Sequence, residues 1–497
     1  MVKYDVAIVG AGLGGLQCAY ILADNGLSVC VVEQDALIGG CLQTYRRDGL
    51  PIDTGFHYIG GLDEGQILHR LFSYYDLLSL PFVKMDVECA DEVVIEGKHF
   101  AIPQGYENYQ SALRRYFPHQ SDGIDKWVEL LRSVADNIWN SLKPREAEQL
   151  FSQSLFAQGA YDYLHSIFTD SLIIDVISGP ALKMELNAEK LPLYTFAQIT
   201  SSFVQSAYRI RGGGMQIAEQ LRRGIESRGG KVLRRARVTQ ILGTEGHASA
   251  LEINGSETIE ATSFISDIHP AATMALMEGS GLVRKIYRKR ISSIANTFGI
   301  FTTSLILKDG MVPYQNHNKY IYTKPDVWHI NDCLATDDTI RSALVSYAPN
   351  EDAKSPFARN IDILVPMHWS RVERWFGTDI AHRGDDYEAL KRDVAERSIE
   401  LAATCIPGLS AAIENVYTSS PLTYTSYTST PQGSAYGIQK DFNNLMFTLL
   451  TPRTPVDNLY LTGQSLNLHG ILGTSMTSLF TCAELLGPER VAAIISK

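Results

Sequence analysis

Residues 4–9, YDVAIV, form a short β-branched and apolar run that stops at GAGLGG, residues 10–15. Apolar residues then recur at helical spacing through Leu16, Ala19, Tyr20 and Ala23, until Asn25-Gly26 closes the pattern. A second apolar run, LSVCVVE, ends at Glu33. This pattern predicts strand, turn, helix and strand in about thirty residues. An extended segment follows at 51–60, PIDTGFHYIG, and then helical patterning rich in aromatics (LFSYYDLL, WVELLRSVADNIW). Residues 211–242 predict a glycine-rich start, an amphipathic helix, a Gly229-Gly230 turn and paired short strands. ATSFISDIHPAAT (261–273) reads as a strand and turn, and TFGIFTTSLIL and IDILVPM as further strands. Near the C-terminus, NLYLTGQ (458–464) predicts a buried strand running into Gly463, and LNLHGILGTSMTSLFTCAELLG a glycine turn entering a helix. No internal repeat or low-complexity tract interrupts the pattern.

The first unit carries chemistry. In the spacing G-x-G-x-x-G, Gly10 permits a tight turn, Gly12 lets the backbone approach a pyrophosphate, and Gly15 lets helix and strand pack closely. The helix N-terminus offers free N–H groups and a favourable dipole to phosphates. Glu33 stands where a carboxylate can hold a ribose hydroxyl pair and would repel a 2′-phosphate. These residues predict a dinucleotide, either NAD or FAD. No second such fingerprint appears, so no separate nicotinamide domain is visible.

Composition narrows the partners. The chain has 497 residues, 45% hydrophobic and 20% charged, the profile of a globular protein with room for more than one domain. Lys plus Arg is 44 against Asp plus Glu at 55, a net charge of −11, which disfavours nucleic acid. The seven cysteines are scattered without a CxxC pair, so no zinc or iron–sulfur site is expected, and they suit a reducing compartment. MVKYDVAIVGAG shows no signal-like leader, and SLIIDVISGPAL is broken by Asp175, Gly179 and Pro180. The expectation is a cytoplasmic protein, with peripheral contact at a membrane surface as one reading of FSYYDLLSLPF (72–82) and YDYLHSIFTDSLIIDVI (161–177). Core packing is the other reading of those aromatics.

The segment QDALIGGCLQTY, with Gly39-Gly40 soon after the second strand, resembles the flavoprotein superfamily of amine oxidases, phytoene desaturases and their relatives. Within it, DTGFHYIGG at 53–61 resembles the retinol saturase type more than plain phytoene desaturases, which lack that histidine. TYTSYTSTPQGSAYGI (423–438), with Gly433 and Tyr436-Gly437, resembles the same group's segment before the last domain crossing. The turn Asp267-Ile268-His269-Pro270 departs from the group's usual Asn-Ala-Asp-Pro, which leaves its role open. The resemblance, spanning nearly the whole chain, favours FAD. It implies an α/β fold: a Rossmann-like FAD-binding domain of the glutathione reductase-like, glycine-doublet type, with an inserted α+β substrate domain. The FAD domain would comprise 1–72, 206–285 and 440–497, and the substrate domain, a sheet roofed by helices, 73–205 and 286–439.

The residues assigned to the cofactor are Gly10, Gly12, Leu13, Gly14, Gly15, Glu33, Gln34, Gly39, Gly40, Cys41, Gly55, His57, Val238, Gly463, Gln464, Gly473 and Thr474. His57 and Tyr58 are the catalytic candidates, His57 because it follows the strand expected to pass the isoalloxazine. A hydrogen-bonded core histidine and a packing tyrosine are the structural alternatives. Tyr436 stands as a further flavin or substrate contact, and His469 as a backbone-positioning residue. Arg209 and Arg211 are candidates for a phosphate or head group, with a solvated pair as the safer reading. Three functions compete. The first is an FAD enzyme that saturates, desaturates or isomerises C=C bonds of an isoprenoid or polyene, with an unidentified redox partner. The second is an amine oxidase-like enzyme, in which Lys183, Lys308 or Lys440 would hold a water. The third is a flavin-free carrier of prenylated proteins, similar to GDP-dissociation inhibitors. Nothing in the pattern marks an oligomeric state.

Overall fold

A computed structural model of the protein describes residues 3–138, 152–380 and 382–495. Trp139, the last residue of the aromatic pattern WVELLRSVADNIW, lies outside them.

The apolar run at the start forms strand β1 (Lys3–Val9), followed by helix α1 (Leu13–Asp24) and strand β2 (Val29–Val32). Further strands of the same sheet are β3 (Lys231–Leu233), β4 (Val238–Thr244), β5 (His247–Ile253), β6 (Glu257–Ser266) and β7 (Leu459–Leu461). The order is β3-β2-β1-β6-β5-β4, with β7 beside the C-terminal half of β6. Strands β1, β2, β3, β6 and β7 run parallel, and β1 is buried on both faces from Val6 to Val9, as the continuous apolar run requires.

The strands after Gly229-Gly230 do not pair with each other as expected. β3 extends the edge of β2, and β4 pairs antiparallel with β5 at the opposite edge. Residues between them cross the end of β2, where the amides of Arg235 and Ala236 donate to the carbonyls of Asp35 and Glu33. The backbone bonds that would have closed a hairpin are spent on that crossing.

The second sheet has seven strands. Its order is Ile413–Ser419, Gly299–Leu307, Asn360–Met367, Ser342–Tyr347, Asn318–Tyr322, Asp91–Ile95 and Lys98–Ile102. It is covered on both faces. Phe301, Leu305, Ile361 and Ile363 pack towards the helix Asp385–Ala403, while Ile300, Leu344 and Leu364 belong to the opposite layer with the helices Ser121–Asn137 and Leu193–Gln205. Two-sided burial explains why GIFTTSLIL shows no alternation, with even Thr302, Thr303 and Ser304 buried between its apolar ends. The first sheet draws on residues within 1–72, 206–285 and 440–497, and the second on residues within 73–205 and 286–439. A small three-stranded sheet, Ile59–Gly60, Ala207–Ile210 and Phe82–Lys84, stitches the two sets together.

The aromatic segments considered for a membrane surface are largely core. Phe72, Tyr75 and Leu77 are fully buried beside α1, and Leu164, Phe168, Ile173 and Ile177 are buried in the helical layer. Among the described residues, no helix is long and apolar enough to cross a membrane.

Candidate functional site

Four parallel strands end along one edge of the first sheet. There β1 runs into Gly10, β2 into Glu33, β6 into Asp267 and β7 into Gly463. Ligands of open parallel sheets bind outside such carboxyl ends. A cavity opens at this edge and continues to the second sheet, where Ile199, Phe203, Ile300, Leu344 and Leu364 give it apolar walls. Every residue assigned from the sequence to cofactor or catalysis lines this cavity except Gly15. Gly15 packs behind it, so close to the carbonyl of Gly10 that a side chain has no room. Gly10 turns at φ +93°, in the left-handed region that glycine adopts freely.

Glu33 is bound before any ligand arrives. One carboxylate oxygen accepts from the amide of Ala11 at 2.9 Å and the other from Asp35 at 2.9 Å. Burial raises its pKa, against the lowering by those two amides. Val238 opens β4 beside it, and Gln34 reaches the carbonyl of Tyr427 at 3.4 Å. On the other flank, the helix Gly470–Leu486 points its unpaired first turn into the cavity, and no side chain caps it. Its small residues allow close packing on α1, where Gln17 donates to Ser475 Oγ at 2.8 Å.

Asp267, left without a role by the sequence, sits under the glycine turn. Its carboxyl accepts from the amides of Gly12 and Gly15. A side chain at Gly12 would meet Asp267 Oδ2 at 2.5 Å, and one at Gly463 would meet Oδ1 at 2.7 Å. Burial, opposed by those amides and reinforced by Glu33, pushes this carboxyl up to about 7. The thiol of Cys41, on the same cavity wall, is pushed up to about 11 by burial.

His57 also lines the cavity. Its Nδ1 lies 3.7 Å from Asp362 Oδ2, and its Nε2 is buried without a hydrogen-bond partner. Burial, helped by Arg209, lowers its pKa to about 4, while burial raises Asp362 to about 7. The contact therefore joins a neutral imidazole and a carboxyl, not an ion pair.

Tyr58 turns its hydroxyl away from the glycine turn, 2.6 Å from Tyr320 Oη and 3.2 Å from Asp91 Oδ2. Asp91 also takes Asn318 Nδ2 at 2.9 Å and the Lys183 ammonium at 3.3 Å. Lys183 lines the cavity with its side chain 8% exposed and its ammonium 4.0 Å from the centre of the Phe203 ring. Burial lowers its pKa and Asp91 opposes that shift. This buried pair escapes sequence reading, because its members lie 92 residues apart on unrelated elements.

The remaining candidates separate. His469 Nε2 meets the carbonyl of Lys183 at 2.8 Å, its ring 4.7 Å from that of Tyr436 on the cavity wall. Lys440 is buried and donates to the carbonyls of Thr448, Ser465 and Leu466, behind the cavity-lining Ser465 and not itself part of the lining. Lys308 is at the surface. Arg209 corrects the expectation of a solvated charge. It is fully buried and donates to the carbonyl of Tyr347 and to Asn318 Oδ1 at 2.9 Å, tying the three-stranded sheet to the second sheet. Arg211 donates to the carbonyl of Asn350 at 2.9 Å.

Comparison with known proteins agrees with this geometry. Residues 8–75 match the NAD(P)-binding Rossmann-like domain family. The all-trans-retinol 13,14-reductase of Rattus norvegicus is 27% identical over 97% of this chain and 86% of its own. The chloroplastic prolycopene isomerase of Daucus carota is 23% identical, over 93% of this chain and 76% of its own. Among solved structures, cyclohexylamine oxidase from Brevibacterium oxydans superposes with a TM-score of 0.61 at 16% identity, covering 100% of this chain and 99% of that one. Fold and site thus define a dinucleotide-binding oxidoreductase whose fold is similar to that of cyclohexylamine oxidase. Within that class, the chain fits the retinol saturase and carotenoid isomerase family.

Proposed function

We propose that this protein is an FAD-dependent oxidoreductase that saturates, desaturates or isomerises a C=C bond of a hydrophobic isoprenoid such as a retinoid or carotenoid. The observation that carries this reading is one continuous cavity, with a phosphate-type glycine turn at one end and apolar walls at the other. The residues fit FAD. The turn at Gly10–Gly15 and the start of α1 suit a pyrophosphate, Glu33 suits a ribose diol, and the open N-terminus of the helix Gly470–Leu486 suits the electron-rich edge of a reduced flavin. Bound FAD would supply hydride donation or acceptance at its N5.

The chain's own part is to hold the polyene against that face, exclude water and move a proton. Ile199, Phe203, Leu344 and Leu364 hold and desolvate an apolar chain. His57 is neutral at ordinary pH, and its unpartnered Nε2 is free to fix the orientation of cofactor or substrate. The proton falls to Lys183, a cavity-lining ammonium whose pKa burial lowers, rather than to the equally cavity-lining Tyr58, whose hydroxyl burial holds protonated. When hydrogen is added, one carbon takes hydride and its neighbour takes a proton from Lys183. The lysine is left neutral, which its depressed pKa favours. In the reverse direction Lys183 takes the proton.

The test is anaerobic mixing. Protein loaded with FAD and chemically reduced should be reoxidised by conjugated isoprenoid alcohols or carotenoids, and the oxidised protein should stay unbleached by amines. Bleaching by amines alone would replace this reading with an amine oxidase. Failure to take up FAD at all would replace it with a lipid carrier.

A further inference from the structure

Residues 284–290, RKIYRKR, place five cations in seven positions of a chain whose net charge is −11. They build the helix Lys285–Ser292 on the surface. Among the described residues, none of the five lies within salt-bridge distance of a carboxylate. Arg288 donates to the carbonyl of Met277 at 3.0 Å and Arg290 to that of Met446 at 3.2 Å. Apolar side chains stand beside them, with Ile286 78% exposed, Met446 85% and Phe447 53%. The guanidinium of Arg290 lies 5.1 Å from the centre of the Phe447 ring, and Ile286, Lys289, Arg290 and Phe447 line one shallow groove. The one carboxylate in that groove, Asp441, is occupied by the amide of Asn443 and the side chain of Asn444.

We propose that the helix Lys285–Ser292 and the turn at Leu445–Thr448 dock the protein on an anionic lipid bilayer. Large apolar tips ringed by unpaired cations fit an interface where the chain enters the acyl boundary and the charge meets head groups. A nucleic acid would use the cations but leave Ile286 and Met446 in water. The excess negative charge over the rest of the molecule is repelled by the same surface, so the patch also fixes orientation. The proposal is independent of the reaction in the cavity, and none of its residues lines that cavity.

The experiment is cosedimentation of the full chain with vesicles of phosphatidylcholine alone or with about a third phosphatidylserine. Binding should be about tenfold stronger to the anionic vesicles at about 0.1 M salt, and should weaken steeply as salt rises. Lys285→Glu/Lys289→Glu should abolish that preference. Ile286→Ser/Met446→Ser should weaken binding while leaving the salt dependence in place. All variants should keep the parent's thermal unfolding midpoint, because the altered side chains are exposed. Equal binding to both vesicle types, unchanged binding by both double variants, or binding to a random oligonucleotide in preference to vesicles would overturn the proposal.

Discussion

The carboxyl of Asp267 accepts a hydrogen bond from the backbone amide of Gly12, inside the turn whose amides serve an incoming phosphate. The chain thus carries an anion-sized group of its own at the place a pyrophosphate would approach. In the related family pattern an asparagine stands at this turn position, and an amide there brings no charge.

Cofactor affinity should therefore depend on pH. The Asp267 carboxyl, held up to about 7, is neutral below that pH and negative above it, where it opposes the phosphates and competes for the Gly12 and Gly15 amides. Glu33, also raised, and Cys41, pushed to about 11, are the other titratable groups facing it. The dissociation constant for FAD, measured by fluorescence quenching, should rise about tenfold between roughly pH 6 and pH 8. Asp267→Asn should flatten that rise and bind more tightly at the upper end. A pH profile in the variant identical to the parent's would reject the assignment.

Gly12→Val should abolish FAD retention while the protein still folds. The added side chain meets Asp267 Oδ2 and fills the turn, yet Gly12 lies on the cavity side of the sheet rather than in its core. A variant that purifies with full flavin would contradict the cradle.

Lys183 calls for a paired test, because removing one partner of a buried ion pair leaves a stranded charge that costs about 3–5 kcal/mol. Lys183→Met/Asp91→Asn removes both charges. It should fold, bind FAD and lose about a hundredfold in turnover, as expected when a positioned acid is lost. The pH dependence of turnover that Lys183 imposes should vanish with it. Turnover within a few-fold of the parent would return the pair to a purely structural role.

His57→Phe should keep flavin binding and slow turnover, since it removes the unpartnered Nε2 from the cavity wall. Because burial holds His57 neutral down to about pH 4, any inflection of the parent's activity near pH 7 comes from the carboxyls and should persist in the variant. An inflection lost in this variant would show a protonated imidazole instead.

The cofactor half of the site was legible because its chemistry is local. Gly10, Gly12, Gly15 and Glu33 are spaced by a single strand–helix–strand unit, and Gly463 and Gly473 by a single strand–turn–helix. The substrate half was not. Asp91, Lys183, Tyr320 and Tyr58 meet only because the second sheet and the helical layer close on each other, so the sequence singles out Tyr58 and Lys183 separately, without their shared partner Asp91. Arg209 shows the same limit. Its charge, read with Arg211 as a phosphate contact or a solvated pair, instead lies buried, where the small three-stranded sheet sets its guanidinium against the carbonyl of Tyr347 and Asn318 Oδ1. The strand Gly299–Leu307 was legible in TFGIFTTSLIL, while its burial on both faces was not, since Thr302, Thr303 and Ser304 interrupt the apolar pattern.

The reaction assigned to the cavity adds hydride and a proton across a carbon–carbon double bond, or removes them from the corresponding saturated CH–CH unit. It is tested most directly by a single anaerobic turnover of the FAD-loaded, reduced protein with all-trans-retinol in deuterated water, followed by mass analysis of the product. The expected result is reoxidation of the flavin together with a product that has lost one double bond and carries solvent-derived deuterium at the protonated carbon, with a second deuterium at its neighbour wherever the flavin N5 hydrogen has exchanged. Flavin that stays reduced in the presence of retinoids and carotenoids alike, with neither reduced nor rearranged product, would contradict it.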